Sequence, residues 1–211
     1  LNTKHKGKTL CLLFFNPSLR TRLSTQKAAH NLGMQTIVMN LNNEGWALEF
    51  EDGRVMDGNN AEHIREAARV VSQYCDVLAV RSFPSLTDKQ KDEQENVISS
   101  FVQHASVPVI SLEGSVEHPL QALADALTIQ EYRKTKRPKV VLTWAPHPKA
   151  LPHAVPNSFI KMMKRCDVDL VIAHPEGYAL NTDITAGAVI THDQNKAFEN
   201  ADFIYAKNWC S

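Results

Sequence analysis

A long apolar run, a paired set of cysteines and an excess of either charge are all missing from this chain, and each absence removes a class of function. Lys plus Arg equals Asp plus Glu at 23 each, so no net field draws nucleic acid or an anionic membrane. No apolar stretch approaches the length of a membrane span. The opening, Leu1 to Lys8, is polar and basic and runs into a strand pattern rather than a leader, so a cytoplasmic protein is expected. Cys11, Cys75, Cys166 and Cys210 are scattered without a C-x-x-C pair, which predicts free thiols in a reducing compartment. The nine histidines show no H-E-x-x-H or comparable spacing, so no metal is expected. G-x-G-x-x-G, the P-loop pattern, internal repeats and low-complexity stretches are absent as well. What remains is a 211-residue chain, 43% hydrophobic, with room for one large domain or two small ones.

Within it, short apolar runs alternate with helical patterns. Strands are expected near 10–15, 35–41, 76–81, 107–112, 139–144, 168–173 and 202–206. Helices are expected near 20–32, 61–73, 90–105, 119–133, 156–166 and 193–199. Helix 61–73 carries Ile64, Ala67, Ala68 and Val71 on one stripe, and helix 156–166 carries Phe159, Met162, Met163 and Cys166. This alternation predicts an α/β fold: two doubly wound parallel-sheet domains joined by helices. The basic, proline-containing segment Tyr132 to Pro138 marks the boundary, which gives domains 1–118 and 135–211 with an interdomain helix at 119–134.

Phe14 to Arg22 reads as an anion-binding turn. The strand Leu10 to Phe15 is broken by Asn16-Pro17, and Ser18 is placed to cap a helix that stops at Gly33. Backbone N–H groups without partners, the helix dipole, the Ser18 and Thr21 hydroxyls and the Arg20 guanidinium would suit a phosphate. An ordinary capped helix with solvent-facing arginines would read the same way. Beyond the carboxyl ends of the strands come Ser18 and Arg20, then Arg81, Glu113 with His118, His147, His174 and Lys207. In an open parallel sheet that edge is where ligands bind, so the pattern favours an enzyme.

His118-Pro119-Leu120-Gln121 opens the helix 119–133, with Pro119 suited to its first position. His118, Gln121 and Asp125 share one face, and Leu120, Leu123, Ala124 and Leu127 share the opposite one. The leucine face is expected to pack on the sheet, turning His118 and Gln121 towards the crevice. A histidine at a helix start should resist protonation and donate as a neutral imidazole. An N-capping histidine beside a buried glutamine is the plainer alternative.

Ser18-Leu19-Arg20-Thr21-Arg22, Arg81 and His118-Pro119-Leu120-Gln121, in that order, resemble the aspartate/ornithine carbamoyltransferase family. The Trp46 loop, Met56-Asp57-Gly58, Thr143 to Pro148 and Tyr205 to Trp209 resemble the branch acting on N-acylated ornithine. The resemblance covers essentially the whole chain. It implies a carbamoyl-phosphate-binding first domain and an amino-substrate-binding second domain. It also implies carbamoyl transfer from carbamoyl phosphate to the δ-amine of an N-acylornithine, in arginine biosynthesis, with no cofactor. Ser18, Leu19, Arg20 and Thr21 would hold the phosphate, and Thr21, Arg81 and His118 would reach the carbamoyl carbonyl oxygen. Pro119 and Leu120 belong to the same motif, and Gln121 would bind the carbamoyl amino group. Trp46 resembles the residue that reaches a neighbouring subunit's site, which implies a homotrimer; stapled to its own domain it would be purely structural. Glu113, His147 and Lys207 match positions that hold the acylated amino acid, although a lysine after a strand is also commonly just solvated. Arg22 is assigned to a structural ion pair and His174 to a loop or edge role.

The acceptor rests on a small region. The position matching Ala61 holds glutamate in the resembling N-acetylornithine enzymes and a small apolar residue, proline, in the N-succinyl enzymes; Ala61 is not proline, but it leaves room and sets no charge against succinate's carboxylate. The five-residue step from Glu113 to His118 matches the succinyl branch too. N-succinylornithine is the expected acceptor; N-acetylornithine or ornithine, and a non-catalytic phosphate-binding α/β module, are the alternatives. Against the family pattern the chain lacks the helix before the first strand, and the later Cys-Leu-Pro region, basic residues and closing helix. Either a fragment or a chain with segments left out is therefore expected, with an incomplete second domain.

Overall fold

The computed structural model describes residues 4–211; the start of the polar run Leu1 to Lys8, residues 1–3, lies outside them. Contacts divide the chain into two compact units between Gly114 and Ser115.

The first unit runs β1 (Thr9–Phe14), α1 (Arg20–Asn31), β2 (Gln35–Asn40), α2 (Leu41–Glu44), β3 (Leu48–Glu49), β4 (Glu62–His63), α3 (Ile64–Ser72), β5 (Val77–Arg81), α4 (Lys89–Glu93), α5 (Asn96–His104) and β6 (Val109–Glu113). Its main sheet is wholly parallel, in the order β2-β1-β5-β6, and β3 pairs with β4 separately. β1 is buried on both sides, as its unbroken apolar run requires. Cys11 and Leu13 join Leu78, Val80, Ile64, Ala68 and Phe101 on one face. Leu10, Leu12 and Phe14 join Ala79, Leu112 and Ala29 of α1 on the other. Each fully buried leucine or phenylalanine there contributes roughly 1.5–3 kcal/mol.

The second unit runs α6 (Pro119–Tyr132), β7 (Lys139–Trp144), α7 (Ala154–Met163), β8 (Asp169–Ala173), α8 (Thr182–Thr185), β9 (Val189–Thr191), α9 (Gln194–Phe198) and β10 (Phe203–Lys207). Its sheet is again parallel, in the order β10-β7-β8-β9. Val140, Leu142 and Ile172 face Ile129 of α6, the Phe159, Ile160 and Met163 stripe of α7, and Trp209. Val141 and Ala173 face Ala197 of α9 on the other side. Both units are thus doubly wound, as the alternation predicts.

Three expectations change. The helix expected over 90–105 is two helices, because Glu95 adopts the left-handed region at φ 48° between α4 and α5. The helix expected from 61 starts at Ile64, since residues 62–63 pair as β4 and His63 caps it, its side chain accepting from the Arg65 N–H. The leucine face of α6 does not pack on the sheet. Leu120, Leu123 and Leu127 are 42%, 49% and 53% exposed, while Ala122 and Ile129 are buried. The stripe of Ala122, Ala126 and Ile129 faces the core beside α7 instead, and that turn of the helix carries Gln121 and Asp125 inward with it. Among the described residues no helix is long and apolar enough to cross a membrane.

Candidate functional site

In the first unit the turn after β1 is tied to the end of β5. Phe15 N–H donates to the Arg81 carbonyl at 2.9 Å, and the Asn16 side-chain oxygen accepts the Phe83 N–H at 2.6 Å. Arg81 is buried and nearly fully committed. Its Nη1 donates to the Asn16 and Pro17 carbonyls at 3.1 and 3.0 Å. Its Nε and Nη2 donate to Glu113 Oε2 at 3.2 and 3.0 Å. Those four bonds use four of the five guanidinium N–H groups and leave one for a ligand. Arg81 also lies over the Phe83 ring, 4.1 Å from its centroid. Register places Arg81 beside both Phe14 and Glu113, so the three strand ends meet at one sheet edge.

Ser18, expected as the cap of α1, is one residue early. Leu19 already has helical dihedrals (φ −82°, ψ −58°), its carbonyl accepts the Leu23 N–H, and no side chain caps the helix. The N–H groups of Arg20, Thr21 and Arg22 are therefore without an intrahelical partner, with the Ser18 and Thr21 hydroxyls beside them. Leu19 is 75% exposed, so only its backbone suits a ligand role. Arg22, assigned to an ion pair, makes none among the described residues. The Glu44 carboxyl is held low mainly by the Asn40 backbone and side chain, with the Arg22 charge a minor contribution.

Trp46 follows α2 on a loop and is 61% exposed, its Nε1 donating to Glu62 Oε2 at 2.9 Å. The Ala61 N–H donates to the Ala47 carbonyl at 3.1 Å. The proposed acyl selector therefore stands beside the Trp46 loop, bridged by the β3–β4 pair.

In the second unit His118 precedes α6 with φ −133°, and its backbone N–H donates to Ser158 Oγ of α7 at 2.7 Å. Pro119 occupies the first turn, where its missing N–H is not needed. Gln121 Nε2 donates to Asp125 Oδ1 at 2.9 Å one turn on. The ends of β7 and β10 are laced together: Ala145 N–H donates to the Lys207 carbonyl at 3.0 Å, and Asn208 Nδ2 to the Ala145 carbonyl at 2.9 Å. This sets Lys207 and the His147 turn at the carboxyl edge of that sheet. His147 is exposed, its Nδ1 accepting the Lys149 N–H at 3.1 Å. His174 follows β8 and is buried, edge-on to His192 and Trp209.

The structure thus gathers Arg81, Glu113 and the turn into α1 in the first unit. In the second it gathers His147 with Lys207, and His118 with Gln121. Three residues that shape these groups were not singled out from sequence. Asn16 was legible only as a strand breaker. Ser158 meets His118 across 40 residues, which leaves no local signal. Asp125 was visible on the His118 and Gln121 face, but without a partner assigned.

The model of the aspartate/ornithine carbamoyltransferase carbamoyl-phosphate-binding domain matches residues 1–131. The chain is 54% identical over 206 residues to the N-succinylornithine carbamoyltransferase of Bacteroides thetaiotaomicron, covering 98% of this chain and 65% of that protein. It is 40% identical over 224 residues to the N-acetylornithine carbamoyltransferase of Xanthomonas campestris pv. campestris, covering 99% and 66%. A glutamate-to-alanine mutant of N-acetyl-L-ornithine transcarbamylase, complexed with carbamyl phosphate and N-succinyl-L-norvaline, superposes with a TM-score of 0.93 at 40% identity. That superposition covers 99% of this chain and 67% of the mutant. With the uncapped α1 turn, the Arg81 edge and the His118 helix all standing on the two parallel sheets, the chain belongs to the aspartate/ornithine carbamoyltransferase family.

Proposed function

We propose that this chain carries the carbamoyl-phosphate site, and part of the acceptor site, of a carbamoyltransferase that makes N-succinylcitrulline and phosphate from N-succinylornithine in arginine biosynthesis. The observation that carries the reading is the α1 start. Its N–H groups have no side-chain cap, and two hydroxyls and Arg20 stand beside it in a chain of this family. An anion completes such a helix end where the protein has left it open.

The unprotonated δ-amine attacks the carbonyl carbon, a C–N bond forms, the bond from that carbon to the phosphate oxygen breaks, and the amine sheds a proton. Negative charge grows on the carbonyl oxygen and the leaving phosphate, so fixed donors supply most of the rate. Ser18, Arg20, Thr21 and the Leu19 backbone hold the phosphate. The remaining Arg81 N–H, the Thr21 hydroxyl and His118 stabilise the carbonyl oxygen, and Gln121 takes the carbamoyl amino group. Glu113, His147 and Lys207 serve the acceptor; Glu113 does so while paired to Arg81. A family relative with a glutamate replaced by alanine, holding N-succinyl-L-norvaline, supports Ala61 as the feature that admits a succinyl group. The exposed Trp46 reaches a neighbouring subunit of a cytoplasmic homotrimer.

The test compares kcat/KM for N-succinyl-, N-acetyl- and free ornithine in the native polypeptide that carries this chain. N-succinylornithine is expected to be preferred. A preference for free ornithine overturns the branch, and nucleotide binding without carbamoyl phosphate binding overturns the enzyme.

A further inference from the structure

The functional reading gives Gln121 one task, accepting a hydrogen bond from the carbamoyl –NH2. A side-chain amide is two-faced: its oxygen accepts and its nitrogen donates, and a half-turn exchanges them. Presented the wrong way, Gln121 would meet the substrate's N–H with its own. Something must hold the amide one way round.

We infer that Asp125 is the positioning residue that does so, fixing Gln121 with its nitrogen held and its oxygen left for the substrate. The geometry is direct. Gln121 Nε2 donates to Asp125 Oδ1 at 2.9 Å, one helical turn away on the face of α6 that is drawn inward. As a carboxylate, Asp125 can only accept, so it pairs with the nitrogen of Gln121 and never with its oxygen. Asp125 is itself held from beyond the helix. The Tyr205 hydroxyl of β10 lies against the same carboxyl, and the Tyr205 ring is stacked on Phe159 of α7, centroids 4.4 Å apart and planes 10° from parallel. The contact with Tyr205 is looser than a full hydrogen bond, since Asp125 Oδ2 is buried without a bond of ordinary geometry. Burial raises the Asp125 carboxyl above its usual range, opposed by the neighbouring Gln121 and Tyr205 side chains.

The inference rests on the proposed role of Gln121, and the test separates the two. Acetyl phosphate carries a methyl group where carbamoyl phosphate carries –NH2, so it reads phosphate and carbonyl binding without the amino group. Dissociation constants for both ligands are measured in the native polypeptide and in Asp125→Asn, Gln121→Ala and the double variant. Asparagine keeps the shape but offers Gln121 either a donor or an acceptor. Asp125→Asn is expected to weaken carbamoyl phosphate about threefold to tenfold, the range for losing one neutral hydrogen bond. It should leave acetyl phosphate unchanged. In the Gln121→Ala background it should add nothing. Equal weakening of both ligands, as a general loss of structure would give, overturns the inference. So do independent, additive losses, or an Asp125→Asn variant with parental discrimination. Parental discrimination in Gln121→Ala overturns the role of Gln121 and this inference together. If Asp125→Asn does not fold, Asp125→Ser, whose hydroxyl is equally ambivalent, is read by the same ratio.

Discussion

The helix that opens on the candidate residues of the first unit and the one that does so in the second begin in opposite ways. α1 starts with no side-chain cap, and the turn before it is held from beneath by Arg81 through the Asn16 and Pro17 carbonyls. α6 starts with its preceding N–H already donated to Ser158. One start is held rigid while its donors are left open; the other is closed by a neighbouring helix of its own unit. Under the proposed function, the difference follows from what each would meet. A dianion supplies several acceptors and is best received by N–H groups with nothing else to bond. A single side chain, His118, needs instead a backbone that does not move.

Replacing the support beneath α1 should break the first arrangement hardest. Arg81→Met leaves the buried Glu113 carboxylate without its guanidinium and the two turn carbonyls without their donor. A loss of about 3–5 kcal/mol in unfolding free energy is expected, read by urea titration. Glu113→Leu added to it should recover part of that, because the stranded charge is gone.

The second arrangement should fail by rate rather than by fold. His118→Ala is expected to lower turnover about 10²- to 10³-fold with an unchanged melting temperature. A near-parental rate would remove His118 from the oxyanion role. Ser158→Ala sharpens the same point more gently. It takes the acceptor from the His118 N–H, so turnover should fall no more than about tenfold, and less than in His118→Ala.

The smallest effect is a matter of pH. On the face of β1 that packs against α3 and α5, burial first and the neighbouring Cys75 second push the Cys11 thiol up to about 12. Its folded-state value lies above the unfolded one, so its contribution to stability is intact below the usual thiol range near 9.0 and is lost as pH rises from there towards 12. Unfolding free energy should decline above pH 9 more steeply in the parent than in Cys11→Ala. Thiol reagents should also spare Cys11 in the folded protein at neutral pH.

The sheets and the strand-tip groups were legible because their signals are local. Strands buried on both faces read as continuous apolar runs, and Asn16-Pro17 and Gly33 are breakers wherever they stand. β9 and the β3–β4 pair were not legible, being only two or three residues long. The face of α6 was misread for a more instructive reason. Leu120, Leu123 and Leu127 make the more hydrophobic stripe, yet Ala122 and Ile129 are the buried residues, because the packing of α6 against α7, and not the hydrophobicity of a stripe, decides which face is covered.

From the order of its residues alone, this protein fixed two parallel α/β units, a strand-breaking turn into a helix after the first strand and a histidine ahead of a proline-started helix, since each depends on neighbours within a few positions. Only tertiary structure decided that Arg81 would be shared between Glu113 and the turn, that Ser158 would take the His118 N–H, and that Gln121 and Asp125 would face inward. Those outcomes join residues up to 65 positions apart, and no local pattern encodes which strand end or helix will lie alongside another.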